Sequence, residues 1–116
     1  MPMHELAITQ SIVDTVLERT GGRRVITVRL QVGALSGVVA DAMRFCFDLV
    51  SRATPLEGAD LEIDEVAGKG RCRTCGDTFA LRDLILLCPC GSADVRVIAG
   101  QELLVRSVEL MEEPCA

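Results

Sequence analysis

The chain has 116 residues, a hydrophobic content of 49% and a formal net charge of −5. This composition is typical of one folded domain with a hydrophobic core, and it argues against a disordered segment. The acidity and the absence of Trp and Tyr argue against a nucleic-acid partner, because Lys and Arg bind phosphates and aromatic rings stack on bases. No apolar run approaches the roughly 20 residues of a membrane span, and the N-terminus lacks a secretory signal pattern. We therefore expect a cytoplasmic protein without a membrane partner.

The first half of the sequence predicts helices and strands in alternation. An apolar stripe over residues 6–17 predicts an amphipathic helix that a Gly-Gly pair ends. The alternation of apolar and β-branched residues with polar ones over 25–32 predicts a strand, and residues 33–37 a loop. A second helix is predicted over residues 40–53. The residues that it is expected to present to the core are Met43, Phe45, Cys46, Phe47, Leu49 and Val50.

The second half predicts further strands around a cysteine-bearing stretch. Residues 59–66 alternate cleanly, and the glycines that follow, from Gly68 on, break the strand pattern. The cysteines lie within residues 71–91, and strands are predicted at 95–98 and from 102 to 111. The last strand is apolar enough to rejoin the main sheet.

These elements predict an α+β fold, with a small sheet of about three main strands and two helices, interrupted by a small four-cysteine lobe. The predicted domains are an α/β domain of residues 1–67 and 97–116, and a cysteine domain of residues 68–96. The sequence contains no internal repeat or low-complexity segment.

The cysteines at positions 72, 75, 88 and 90 predict one tetrahedral metal site. In a reducing compartment, clustered cysteines are metal ligands more often than disulfides. Cys72 and Cys75 are separated by two residues, which lets both sulfurs reach one ion about 2.3 Å away. Cys88 and Cys90 form a second pair, and the twelve residues after Cys75 leave room for a hairpin. Zinc is preferred to rubredoxin-like iron because the site is single and the domain small.

A closed four-thiolate shell leaves no coordination position for water or substrate, so the predicted site is structural. Cys46 is interpreted as a core thiol and Cys115 as a tail residue. The sequence has one histidine, His4, and no evident acid–base pair, so we expect no enzymatic activity.

His4 lies close to the N-terminus, immediately before the first predicted helix. Its imidazole, the terminal amine and deprotonated backbone amides could together surround a square-planar Ni(II) or Cu(II) ion. The alternative from the residues alone is a solvated side chain without a ligand.

The sequence as a whole resembles the HypA family of small nickel chaperones, which act in the maturation of nickel-iron hydrogenases and, in some bacteria, of urease. Several independent motifs carry the resemblance, in the same order along the chain. They are Met3-His4-Glu5-Leu6, the loop of residues 32–38, Arg44-Phe45 with Phe47, Cys72-x-x-Cys75-Gly76, the segment of residues 87–92, and Glu102-Leu103 with residues 106–109.

The resemblance implies that His4 is a nickel ligand, that Glu5 supports nickel delivery, and that the four cysteines hold structural zinc. It also implies three kinds of partner: the GTPase HypB, the large subunit of a nickel-iron hydrogenase and, where urease is served, urease maturation factors. We expect a monomer, with a dimer as the alternative.

Two features depart from the family pattern. The second cysteine pair commonly has two intervening residues, whereas Pro89 stands alone here. Met1 and Pro2 precede the Met-His-Glu motif. This leaves three alternatives for the N-terminus of the protein: translation starts at Met3, Met1 is removed to leave Pro2 first, or both residues are kept. The chain also has no second histidine to assist nickel binding.

A zinc-ribbon module that binds nucleic acid or protein is the alternative of a different class. Arg71, Arg73 and Arg82 form a small basic patch around the first cysteine pair. The overall acidity and the lack of Tyr and Trp oppose the nucleic-acid version, and a salt-sensitive gel shift would support it.

Overall fold

The structure is a computed structural model that describes residues 2–112, with side chains from His4 onwards. The sequence correctly predicts both helices and the three strands of the main sheet. The interpretation of Cys115 as a tail residue, and the question of Met1, lie outside the described residues. In chain order the elements are α1 (Pro2–Thr20), β1 (Val25–Gly33), α2 (Ala40–Ser51), β2 (Asp60–Val66), β3 (Gly68–Cys72), β4 (Thr78–Leu81), β5 (Val95–Ala99) and β6 (Leu103–Leu110).

The strands form two three-stranded sheets, with the orders β2-β1-β6 and β4-β3-β5. The last strand joins the first sheet beside β1, as predicted. In β1, Val28, Leu30 and Val32 are buried at alternate positions, which is the period of a strand with one face in a core. The α+β fold class is confirmed. Among the described residues, no helix is both long and apolar enough to cross a membrane.

The chain divides into two compact units. Unit 1 comprises residues 2–30, 38–63 and 105–112 of the described chain, and unit 2 comprises residues 31–37 and 64–104. Unit 2 contains the four cysteines at positions 72, 75, 88 and 90. The functional domain boundaries that the sequence suggests, with the metal domain at 68–96, stay a prediction.

In unit 1, α1 packs against α2. Met43, Cys46 and Phe47 of α2 are buried, and their spacing of three and one places them on one face. The prediction that Phe45 faces the core is wrong, because its side chain is 66% exposed. Phe45 lies two positions, about 200° around a helix, from both Met43 and Phe47. Leu49 is 40% exposed, so the predicted apolar stripe was too wide.

Helix α1 begins at Pro2, earlier than predicted. Proline is well suited to the first turn of a helix, because its fixed φ is helical and an N–H there needs no intrahelical partner. His4 therefore lies within the first turn of α1, whereas the sequence placed it before the helix.

In unit 2, β3 pairs antiparallel with both β4 and β5. The prediction that glycines break the strand pattern here is wrong, because β3 starts at Gly68. Gly68, Gly70 and Cys72 are buried at alternate positions. A Cβ at Gly70 would lie 2.9 Å from the side chains of Leu81 and Val95, so the glycine lets these side chains cover the strand.

Three glycines of unit 2 meet where chain segments cross. A Cβ at Gly33 would collide with the carbonyl of Gly100, and a Cβ at Gly100 would lie 2.5 Å from the Cα of Gly68. Gly100 has a φ of 105°, which favours glycine. The backbone N–H of Leu35 donates to the Gly100 carbonyl at 2.6 Å. The crossing therefore depends on the absence of side chains.

Candidate metal sites

The structure brings the sulfur atoms of Cys72, Cys75, Cys88 and Cys90 to within 4.8 Å of one another. Cys72 ends β3, and the second pair precedes β5. The sulfurs of Cys72 and Cys90 are 3.8 Å apart, and those of Cys75 and Cys88 are 3.6 Å apart. Among the described residues, this is the one cluster of three or more His, Cys, Asp or Glu side chains with metal-binding proximity.

The sulfur separations fit a tetrahedral ion. Four thiolates about 2.3 Å from a zinc ion form a tetrahedron whose edges are about 3.8 Å. The observed pairs at 3.6 and 3.8 Å match that edge. The cluster can therefore accept zinc with little rearrangement, and its four donors would leave no position open.

The first knuckle, residues 72–77, is closed by backbone hydrogen bonds. The N–H of Cys72 donates to the Asp77 carbonyl at 2.9 Å, and the N–H of Gly76 donates to the Cys72 carbonyl at 2.9 Å. Gly76 has a φ of 81°, which permits the turn. The N–H groups of Thr74 and Cys75 point at the Cys72 sulfur, at 3.3 and 3.4 Å. The loop is thus shaped to stabilise a thiolate.

The second knuckle, residues 88–92, repeats this pattern with one residue fewer. The N–H of Cys88 donates to the Ser92 carbonyl at 2.9 Å, and the N–H of Gly91 donates to the Cys88 carbonyl at 2.8 Å. Gly91 has a φ of 96°, and the N–H of Cys90 lies 3.4 Å from the Cys88 sulfur. Pro89 therefore shortens the loop while the closing bonds are kept.

The two knuckles are also joined outside the sulfur cluster. The hydroxyls of Thr74 and Ser92 are 2.8 Å apart. The side chain of Arg73 forms an exposed ion pair with Asp94 at 3.1 Å, and its backbone N–H donates to the Asp94 carbonyl at 2.9 Å. Arg73 is thus already paired, which weakens the proposed basic patch. No local pattern in the sequence predicts these long-range pairs.

The thiols differ in acidity because their surroundings differ. The N–H of Cys75, followed by that of Thr74, lowers the pKa of Cys72 to about 6 despite burial. The N–H of Cys90 acts in the same direction on Cys88, but burial and the neighbouring sulfurs outweigh it and raise the pKa of Cys88 to about 12. Four crowded thiols therefore resist full deprotonation, because their thiolates would repel one another. A bound cation would offset that repulsion.

Burial divides the cluster into two halves. Cys72 and Cys88 are buried, with Val95, in a small core that Phe79 and Leu86 partly cover. Cys75 and Cys90 are exposed. One sulfur of each knuckle is thus embedded and the other faces solvent. The donor set includes neither His4 nor Glu5.

His4 and Glu5 are adjacent in α1 but have opposite surroundings. His4 is exposed. Glu5 is only 2% exposed, and one of its carboxylate oxygens accepts the backbone N–H of Val39 at 3.2 Å. This hydrogen bond is the main cause of the lowered pKa of Glu5. Val39 is the residue before α2, so Glu5 ties the start of α1 to the start of α2. Sequence reasoning missed this role, since nothing local pairs the two residues.

A two-helix α+β fold with a four-cysteine cluster defines a small metal-site protein. Its sequence matches, over residues 3–110, the family described as hydrogenase/urease nickel incorporation, metallochaperone, HypA. The chain belongs to the HypA family.

Individual relatives agree with this assignment. The hydrogenase maturation factor HypA of Geobacter metallireducens is 49% identical over 109 residues, which cover 93% of this chain and 99% of that protein. The protein of the same name from a Nostoc species is 47% identical over 113 residues, covering 97% and 99%.

Solved structures share the fold. A solution structure of a HypA protein has a TM-score of 0.67 and 21% identity, and it covers 96% of this chain and 98% of that one. The solution structure of the Ni metallochaperone HypA from Helicobacter pylori has a TM-score of 0.64 and 18% identity, covering 94% and 98%.

Proposed function

We propose that this protein binds Ni(II) at His4 and delivers it during the maturation of a nickel-iron hydrogenase. The observation that carries the proposal is the family match over residues 3–110, combined with an exposed His4 in the Met-His-Glu motif. An exposed imidazole is accessible both to an incoming ion and to an acceptor protein. Nickel is the cargo in this proposal.

The proposed site explains how nickel could be held and still released. The first N–H groups of a helix have no intrahelical acceptor, so the amides near His4 are available. Square-planar coordination by an imidazole and successive backbone amides requires an extended backbone, whereas these residues are helical. Nickel binding would therefore unwind the first turn of α1. Re-formation of that turn would favour release to an acceptor.

We propose that Glu5 supports delivery by positioning His4. Its buried carboxylate holds the residue after His4 against the start of α2, through the N–H of Val39. This contact keeps His4 on the solvent side of the helix. In this proposal Glu5 acts through His4 and need not bind nickel itself.

The cysteine cluster is proposed to bind zinc as a structural ion. Both closed knuckles and the sulfur separations of 3.6 and 3.8 Å fit four-thiolate zinc. A closed shell contributes folding free energy to unit 2 and does not activate a substrate. We propose no enzymatic step for this protein.

The proposed partners follow from the cargo. A GTPase of the HypB type would act with this protein, and the large subunit of a nickel-iron hydrogenase would receive the ion in the cytoplasm. Delivery of nickel for the maturation of urease is a further part of this proposal, because the family is described by both hydrogenase and urease nickel incorporation.

Isothermal titration of the mass-verified protein with Ni(II) tests the site. His4→Ala should abolish stoichiometric nickel binding, while zinc content by elemental analysis and the far-UV circular dichroism spectrum stay unchanged. Cys72→Ser is the reciprocal control, because it should lose zinc and retain nickel binding. Unchanged nickel affinity in His4→Ala would refute the assignment of His4.

A further inference from the structure

The sheet of unit 2 has one face in the small cysteine-containing core and the other face exposed. Along β3, Gly68, Gly70 and Cys72 are buried, whereas Lys69 and Arg71 between them are exposed. Residues that lie directly opposite one another in an antiparallel pair project to the same side of the sheet. The exposed positions of the paired strands therefore form one surface, the cationic face, which consists of Lys69, Arg71, Thr78, Ala80 and Arg96.

Every charged residue within the three strands of this sheet is a cation. Strand β3 contributes Lys69 and Arg71, strand β5 contributes Arg96, and none of the three strands contains Asp or Glu. The whole chain, in contrast, carries a charge of −5. Asp94 immediately precedes β5, but it forms the ion pair with Arg73 at 3.1 Å. Among the described residues, no acidic side chain forms an ion pair with any of the three cations.

Arg71 and Arg96 occupy directly opposite positions on neighbouring strands. Such residues lie about 4.5 to 5.5 Å apart, and like charges in these positions destabilise a sheet. Solubility alone would be served equally well by an arginine opposite an acid, which would stabilise the same pair. The two opposite arginines therefore favour a role that uses the positive charge of this face.

We propose that the cationic face binds an extended segment of a partner protein with acidic side chains at alternate positions. Lys69 and Arg71 are two residues apart in a strand, so their Cα atoms are separated by about 7 Å. An extended segment spaces its alternate side chains by the same distance, so two carboxylates can each approach one cation of β3. Arg96 can then donate to the carboxylate that Arg71 binds. The face uses neither His4 nor the four-cysteine cluster, so the proposal goes beyond nickel binding and can fail independently of it.

A protein segment suits this face better than a nucleic acid. The aromatic residue of unit 2, Phe79, lies between Thr78 and Ala80 in β4 and packs against the small core on the opposite face, so bases have no ring to stack on. Ile98, two residues after Arg96, is 46% exposed and can contact an aliphatic side chain of a partner. The net charge of −5 also opposes a long polyanion, whereas charges farther away than a Debye length of about 8 Å have little effect on two or three carboxylates.

The test uses the full-length protein, with its zinc content verified, and a blocked peptide, Gly-Ser-Glu-Val-Asp-Val-Glu-Ser-Gly. The titration is followed in ¹⁵N NMR spectra at low ionic strength. We expect saturable shifts in the amides of residues 69–71, 78–80 and 96–98, and weaker binding as salt is added. A peptide with lysines in place of its three acidic residues should bind at least about tenfold more weakly.

Charge reversal at one of the opposite arginines separates loss of binding from loss of structure. Arg96→Glu should weaken binding of the acidic peptide at least about tenfold. The same variant should raise the thermal midpoint of the free protein at low salt, because an acid then lies opposite Arg71 and attraction replaces repulsion. Arg52→Glu is the matched control, since Arg52 is an exposed arginine of unit 1 at the end of α2 and the net charge changes equally.

Four outcomes would overturn the proposal. They are absence of saturable binding, amide shifts that map outside the cationic face, equal weakening by Arg96→Glu and Arg52→Glu, and weakening by Arg96→Glu that is accompanied by a lower thermal midpoint. Tighter binding of a short single-stranded RNA or of phosphatidylglycerol vesicles than of the peptide would assign the face to phosphate groups. Shifts of the same amides that depend on protein concentration without peptide would assign it to a second copy of this chain. Either result would equally refute an acidic partner segment.

Discussion

The environment of single residues separates ligand candidates from structural ones. His4 is exposed, whereas the next residue, Glu5, is buried and accepts the N–H of Val39 at 3.2 Å. Two adjacent polar residues of one motif therefore have two different environments. One side chain is available to an ion, and the other holds two helices together.

Glu5→Ala should lower the urea midpoint of unfolding, because it leaves the Val39 N–H without its carboxylate partner. Glu5→Gln keeps an acceptor oxygen and should lose less. Glu18→Ala, which removes an exposed acid from the same helix, is the control. Equal midpoints for Glu5→Ala and Glu18→Ala would contradict the structural role.

Phe45 and Phe47 show how two identical residues on one helix differ. Phe47 is 1% exposed and Phe45 is 66% exposed. Phe47→Ala should reduce the free energy of unfolding by about 3–5 kcal/mol, and Phe45→Ala by less than about 1 kcal/mol. Chemical denaturation monitored by circular dichroism measures both. Similar losses for the two variants would place Phe45 in the core after all.

Hydrophobicity alone could not rank these two phenylalanines. An amphipathic pattern predicts that a helix has an apolar face, and α2 has one in Met43, Cys46 and Phe47. The sequence does not distinguish apolar residues on that narrow face from apolar residues beside it. Phe45 is one of the latter, and its position around the helix directs its side chain toward solvent. Residue identity therefore predicts an element better than it predicts the direction of each side chain.

At the scale of elements, the two knuckles show that loop length can change while local geometry is kept. The glycine N–H that closes each loop comes from Gly76 in the first and from Gly91 in the second, one residue nearer its cysteine. Both glycines have positive φ values. Cysteine spacing alone could predict the cluster, but the closing bonds depend on backbone conformation.

The glycine crossing gives a prediction for the elements that meet there. Gly33→Ala should severely destabilise unit 2, because the added Cβ collides with the backbone of Gly100, which cannot rotate away. Gly22→Ala has open space around the new Cβ and only the φ of 80° to resist it, so its cost should be about 1–2 kcal/mol. Thermal unfolding of both variants measures the difference. A milder effect for Gly33→Ala would show that the crossing can relax.

At the scale of the whole molecule, the chain has two compact units with separate buried clusters. Unit 1 is built around residues such as Val28 and Phe47, whereas the small core of unit 2 contains two of the four cysteines. Two of the four candidate metal ligands, Cys72 and Cys88, thus form part of the core that a bound ion would stabilise. Loss of the ion should destabilise unit 2 more than unit 1.

Cys88→Ser should reduce zinc content below one equivalent and broaden the NMR signals of residues 68–99, while the helical circular dichroism signal is largely retained. Cys46→Ala is the matched control, since Cys46 is a cysteine outside the cluster and its loss should leave zinc bound. Full zinc content in Cys88→Ser would refute a four-thiolate site.

The sequence allowed the main elements and the α+β class to be predicted, because hydrophobic period and turn residues are local properties. The cysteine cluster could be predicted equally well, because the spacing of the cysteines limits which sulfurs can meet. The contacts between Glu5 and Val39 and between Thr74 and Ser92 could not be predicted, because they join positions that are distant in the sequence. Strand β3 was missed since glycines, which usually weaken strands, serve close packing there.

The contact between Gly68 and Gly100 has a consequence for how the chain is assembled. The backbone starts β3 at Gly68 and passes the same point again at Gly100, so residues 69–99 form an excursion whose two ends already touch. Such a segment can be lengthened, replaced or removed without redirecting the chain before or after it, and the entropic cost of closing it grows slowly with its length. The cysteine-bearing segment is therefore a module that this chain could gain or exchange as one piece.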